Sequence, residues 1–167
     1  VALTVVVGIP FGIISATKQY SILDYIVTIV SLIFASIPSF WMAMMFQLGL
    51  SYNLGWFPAT YAAGSAVSMV MPVLTLGLSP VATVTRITRS SMLDVVRQDY
   101  IRTARAKGLS ERQVIWKHAL KNALIPVITV VGMQIGMIMA GSVVVEAIFN
   151  IPGLGSLMMT AINNKDY

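Results

Sequence analysis

"YIVTIVSLIFASIPSFWMAMMFQLGL", residues 25–50, carries no charge, and the uncharged run continues to Thr85. A bilayer core about 30 Å thick is crossed by about 20 apolar residues rising about 1.5 Å each. The run 25–85 is therefore long enough for two crossings. Two more uncharged runs, 1–17 and 122–145, suffice for one each. Only 10% of the 167 residues are charged, against roughly 25% in a soluble domain, too few to clothe a water-facing surface. With a mean hydropathy of +0.82, the chain reads as an all-α, polytopic transmembrane helical bundle.

The expected spans cover about 1–17, 25–50, 68–86 and 123–146. The first contains Pro10 and a Gly8/Gly12 pair at four-residue spacing. Ser36, Pro38 and Ser39 predict a kink in the second. Proline and glycine are tolerated in bilayer helices because neighbours re-satisfy the backbone. In the fourth, Gly132, Gly136 and Ala140 recur every four residues, followed by Gly141, a stripe that admits close approach of another helix. The loop 51–67 is uncharged, and its Tyr52, Trp56, Phe57 and Tyr61 suit the headgroup level. A chain that starts in mid-span is expected to lack sequence at both ends.

Charge placement sets the orientation. Nine of the eleven Lys and Arg lie between Arg86 and Lys121, opposed there by Asp94, Asp99 and Glu111. The positive-inside rule puts 87–122 in the cytoplasm. Counting outward puts 51–67 and 147–167 outside and Lys18 inside. The net charge of +5 then belongs to an inside loop and is no argument for nucleic acid.

That loop is more than a connector. A first helix is expected over roughly 97–107, ending at Gly108 in a left-handed C′ position. Ser110-Glu111-Arg112-Gln113 fits the S-x-x-Q capping box and starts a second helix over about 111–123. Its polar stripe is Gln113, Lys117 and Lys121, and its apolar stripe Trp116, Leu120, Ala123 and Val127. Pro126 lies just beyond, where the chain is expected to re-enter the bilayer. Fixing topology needs only a few basic residues, so a capped helical corner calls for another reason. Small residues around it (Ala104, Ala106, Gly108) point to a docking surface. A membrane anchor would need a broad apolar face, which "QDYIRTARAKG" lacks.

The stretch "YIRTARAKGLSERQVIWKHALKNALIP", 100–126, resembles the cytoplasmic EAA-motif loop of ABC-importer permeases, in its dipeptide, oligopeptide and nickel branch. Gly108 matches the motif's Gly, Ala104 its last Ala and Leu120 its later Leu. Arg102 stands where Glu is usual, Thr103 where Ala is, His118 at an Ile position and Lys121 at a Pro position. "SIPSFWMAMM", "LGWFP", "LSPVATVTRITRSSMLDVV" and "EAIFNIPGLGSLMMTAINNKDY" extend the resemblance over essentially the whole chain. It implies a type I ABC-importer permease fold of six spans, the first and last being absent here.

The resemblance further implies a transport subunit of an ATP-driven, binding-protein-dependent importer, for di- or oligopeptides, with nickel as the alternative. It implies a second related permease subunit, two cytoplasmic ATPase subunits that bind ATP and Mg, an extracytoplasmic substrate-binding protein, and a bacterial or archaeal cytoplasmic membrane. Arg102, Thr103, Ala104, Arg105, Lys107, Gly108, Leu109, Ser110 and Leu120 would couple to the ATPase. By the same comparison, Glu146, Phe149, Pro152, Gly153 and Gly155 would form an outer gate or contact the binding protein. From the residues themselves, Thr75, Ser79 and Thr83 recur at four-residue spacing and, with Gln134 and Gln47, are candidates for a polar path. Hydrogen bonds that pack helices are an equal reading of them.

No G-x-x-x-x-G-K-[ST] occurs, so no ATP cradle is expected in this sequence. The S-x-x-K at Ser15–Lys18 has no supporting motif. The single His118 cannot form a zinc site, and no metal or resident cofactor is expected. Eleven Met in apolar runs read as packing. A membrane-embedded enzyme would need paired acids or a nucleophile and base inside the spans. An ion-gradient-driven transporter would need an intramembrane charge and would work without ATP.

Overall fold

The computed structural model describes residues 1–165, except the side chains of 139–142. The part of the expected small-residue stripe at Ala140 and Gly141 lies outside the described residues. The described chain is helical and without strands. Helix α1 covers Thr4–Thr17, α2 Ile22–Ser36, α3 Ser39–Asn53, α4 Val70–Val96 and α5 Asp99–Ala106. Helix α6 starts at Glu111–Gln113 and continues unbroken through Val114–Ala119 and Leu120–Phe149; α7 is Leu154–Asn163. Two stretches, Ala66–Val96 and Glu111–Ile138, are helical, long and apolar enough to cross a membrane unaided.

The helices depart from the expected boundaries in two places, at Ser36–Pro38 and near Pro126. At Ser36–Pro38 the helix stops outright: α2 ends at Ser36 and α3 begins at Ser39. Pro38 is extended, with ψ 139°, and forms the N-cap of α3. Helix α4 runs beyond the expected span's end near Arg86 to Val96, as its pattern continues in polar residues. The chain does not break near Pro126, which lies inside α6. Proline removes one helical N–H; close by, Ser91 Oγ donates to the Ala123 carbonyl at 2.8 Å. Neighbours re-satisfy such backbone groups in bilayer helices.

The chain divides into two compact units. The first holds Val1–Ala35 and Pro80–Gln134. Its core is Ile13, Ala16, Met92, Ile101, Ala104, Val114, Ala119 and Ala123, so the α1 end, lower α4, α5 and lower α6 share one apolar centre. Gly8 and Gly12 set α1 close on α4. A Cβ at Gly12 would meet Thr88 Cβ at 2.5 Å and the Thr85 carbonyl at 2.7 Å. The second unit holds Ser36–Ser79 and the chain from Ile135 onward, around Ala43, Met71, Val145 and Phe149. Gln47 Nε2 donates to the Ala59 and Ile148 carbonyls at 2.8 and 3.0 Å, tying the 54–65 loop to α6.

Candidate functional site

The basic insert of the first unit forms a knob. Helix α5 begins with Asp99 in its first turn and ends with Arg105 in its last, both favourable to the helix dipole. At its C-terminus Gly108 N donates to the Arg105 carbonyl at 2.9 Å. Gly108 has φ +78°, where an L-residue is strained by about 1–2 kcal/mol. Apart from Gly108 and its two chain neighbours, no atom of the described residues lies within 4 Å of the place a Cβ would take there, so the corner tip is open. Ser110 then caps α6. Its Oγ accepts from Gln113 N at 3.4 Å, and its N donates to Gln113 Oε1 at 3.3 Å.

Two side-chain links hold the corner. Arg105 Nε and Glu111 Oε1 are 2.6 Å apart, joining the helices across Gly108. Asn122 Nδ2 donates to Tyr100 OH at 2.7 Å. Beneath them Ile101, Ala104, Val114 and Ala119 are buried. The knob is thus anchored in the core of its unit, with a polar, mostly basic tip.

The expected coupling residues separate by this geometry. Arg102, Thr103, Lys107, Gly108 and Ser110 are exposed. Arg105 is exposed but clasped to Glu111, and Arg102 reaches Asp99 at 3.6 Å. Leu109 and Leu120 are half-buried against the core. Ala104 faces inward, 6% exposed, so its small size serves helix packing and not a partner's approach. Trp116 is also not where the periodicity placed it: it is 57% exposed. The cause is the π-helical turn Val114–Ala119, whose extra residue shifts the register. The inward set becomes Val114, Ala119, Ala123 and Val127, with one five-residue step before two of four.

The other candidates fall elsewhere. Thr75, 1% exposed, commits its hydroxyl to the Met71 carbonyl of its own helix at 2.8 Å. Ser79 and Thr83 are partly buried and engaged. Gln134 is buried, and its Nε2 reaches the Pro80 carbonyl at 3.5 Å while Oε1 has no partner among the described residues. In the second unit α6 ends on Asn150 at φ +54°, and the 150–153 turn bends the chain by 90° into α7. Glu146 organises that turn, accepting from Ser156 N at 3.0 Å. Its carboxyl group packs where a Cβ of Gly153 would go, and Gly155 has equally little room beside Val143. Phe149 and Gly155 are buried, Glu146 and Gly153 half-buried, and Pro152 is exposed.

Periodicity and motif reading missed one constellation. Asp24, 2% exposed, holds Arg89 through two bonds, Nε–Oδ1 at 2.7 Å and Nη2–Oδ2 at 2.8 Å. It also accepts from Ser15 Oγ and, at 3.0 Å, from Tyr20 N. That last bond offsets the left-handed backbone of Tyr20, φ +64°. The signal was a lone acid at the edge of an uncharged run, since such an acid needs a cation from another helix.

The knob is thus rooted in the apolar helices of its unit. Residues 8–167 match the family of the binding-protein-dependent transport system inner membrane component. The chain belongs to that family. It is 45% identical, over 99% of its length, to the oligopeptide transport system permease protein AppB of Bacillus subtilis (strain 168), covering 55% of that protein. The dipeptide transport system permease protein DppB of the same strain is 44% identical over the full chain, which covers 54% of it. The glutathione transport system permease protein GsiC of Escherichia coli (strain K12) is 42% identical over 98% of this chain, which covers 53% of it. The chain therefore spans about half the length of the curated relatives it matches.

Proposed function

We propose that this chain is part of a permease subunit of an ATP-driven importer of short peptides, and that its α5–Gly108–α6 knob is the handle by which separate ATPase subunits drive it. The observation that carries this reading is the knob's construction. A left-handed glycine and a reciprocal Ser110–Gln113 cap fix a corner whose inner face is core and whose tip is exposed. The names of the relatives refer to oligopeptides, dipeptides and glutathione, which favours a peptide over nickel. The sequence holds no phosphate-cradling loop of its own, so the motor is a partner. The remaining partners are a second permease and an extracytoplasmic binding protein. The knob lies in the cytoplasm, and 51–67 and the Pro152–Gly155 turn lie outside, with about 1–17, 25–50, 68–86 and 123–146 in the membrane.

At the tip, Arg102, Lys107 and Arg112 would meet acids of the ATPase. Each exposed pair contributes about 0–1 kcal/mol, so shape carries the docking and charge orients it. The outer turn, held by Glu146, and the buried polar group of Gln134 are the candidate gate and path. The chain contains no cysteine, so one introduced at Lys107 is unique within it. In the full-length transporter that cysteine is expected to cross-link to the ATPase subunit, and one at Leu48 in α3 is not. Cross-linking at Leu48 with none at Lys107 would refute the reading.

A further inference from the structure

Within the first unit, a cleft of about 570 Å³ opens between α2 and α4. Arg86, Arg89, Thr28, Thr83 and Ser90 line it, together with the apolar Leu32 and Ile87. The two arginines are not equivalent. Arg89 is gripped by Asp24, so its charge is cancelled. Arg86, about one turn away on α4, is exposed and has no acid within ion-pair distance among the described residues. The cleft thus offers one uncompensated guanidinium, hydroxyl groups beside it, and apolar side chains that continue into the exposed Ile29 and Ile33 of α2.

We infer that this cleft seats the phosphate of an anionic phospholipid, with the phosphate on Arg86 and the hydroxyls of Thr28 and Ser90, and an acyl chain along Leu32 and Ile87. Three observations support that occupant. The site's net charge is +1, which matches a phosphodiester. Arg86 stands where the apolar part of α4 gives way to the basic 86–121 segment, the level at which lipid phosphates lie and basic pockets between helices take headgroups. A zwitterionic peptide would need an acceptor for its ammonium, and the nearby carboxylate, Asp24, is committed to Arg89, Ser15 and Tyr20. The inference rests on the membrane orientation of the proposed permease and not on what it carries.

The test uses the full-length transporter complex purified in detergent, labelled with a photoactivatable phosphatidylglycerol and read by peptide mapping. Label is expected on the 20–35 and 80–92 segments. Arg86→Gln should lower it roughly fivefold. Thr28→Val with Ser90→Ala, which leaves the charge in place, should lower it roughly threefold. Lys117→Gln, exposed elsewhere in the unit, should leave it unchanged. The proposal is overturned by undiminished labelling in Arg86→Gln, by an unaltered signal in the hydroxyl variant, by an equal loss in Lys117→Gln, or by displacement with inorganic phosphate or a dipeptide. Labelling is read without transport, so a failure of the permease reading shows separately as ATP-driven peptide uptake that is absent while the label persists.

Discussion

Asp24 is the buried acid that ties distant parts of the first unit together. It joins the α1–α2 turn to α4 and also receives bonds from Ser15 and Tyr20. Removing one member of a buried ion pair strands the other, which costs more than removing both. Asp24→Ala in the full-length protein is therefore expected to lose about 2–4 kcal/mol, and Asp24→Ala with Arg89→Leu to recover part of it. Thermal unfolding in detergent measures both, and a double variant no better than the single would contradict the pairing. At the corner, Ser110→Ala should lose about 1 kcal/mol of capping. Hydrogen exchange would show it as faster exchange at Arg112–Val114 while α5 stays protected. The Ser110 cap was legible because its three-residue spacing is local. The Asp24–Arg89 pair was not, because its partners are 65 residues apart and only the fold brings them together.

Among the helices, long uncharged runs announced where the chain is helical, but not where each helix ends. Hydropathy marks the apolar middle of a helix, and its solvated extension leaves no apolar trace. So α4 continues to Val96, and α6, which starts at Glu111 where its Ser110 cap placed it, passes through Pro126 without the expected break. The stripe assigned to α6 failed at Trp116 for a different reason: a period of 3.6 cannot anticipate a π-helical turn. The glycine pairs divide similarly. Both four-residue patterns were visible, yet among the described residues only the Gly8/Gly12 pair packs against a neighbour. Gly12→Ala would press a methyl group into Thr88 and the Thr85 carbonyl, and overpacking of this kind costs about 1–3 kcal/mol. Gly132→Ala meets nothing within 4 Å and should leave the stability of this part of the protein unchanged or slightly raised. Comparing the melting temperatures of the two variants checks the contrast; equal losses would contradict it.

Over the whole chain, composition was enough to exclude a soluble fold, and the 100–126 segment was enough to suggest the family to which residues 8–167 belong. Its two units each have their own apolar centre. The knob belongs to the first, rooted in the same cluster as the ends of α1 and α4. A force applied at Gly108 thus reaches several helices through packed side chains and not through a loose loop.

The central claim is that the knob transmits work from an ATPase. Full-length permease carrying Gly108→Trp, in inverted and right-side-out membrane vesicles, tests it most directly. The corner is open within the chain, and the strain of a left-handed tryptophan is only about 1–2 kcal/mol, so the variant should insert and accumulate normally. ATP-driven peptide uptake is expected to be lost while ATP hydrolysis no longer responds to the loaded binding protein. Uptake at the wild-type rate would contradict it.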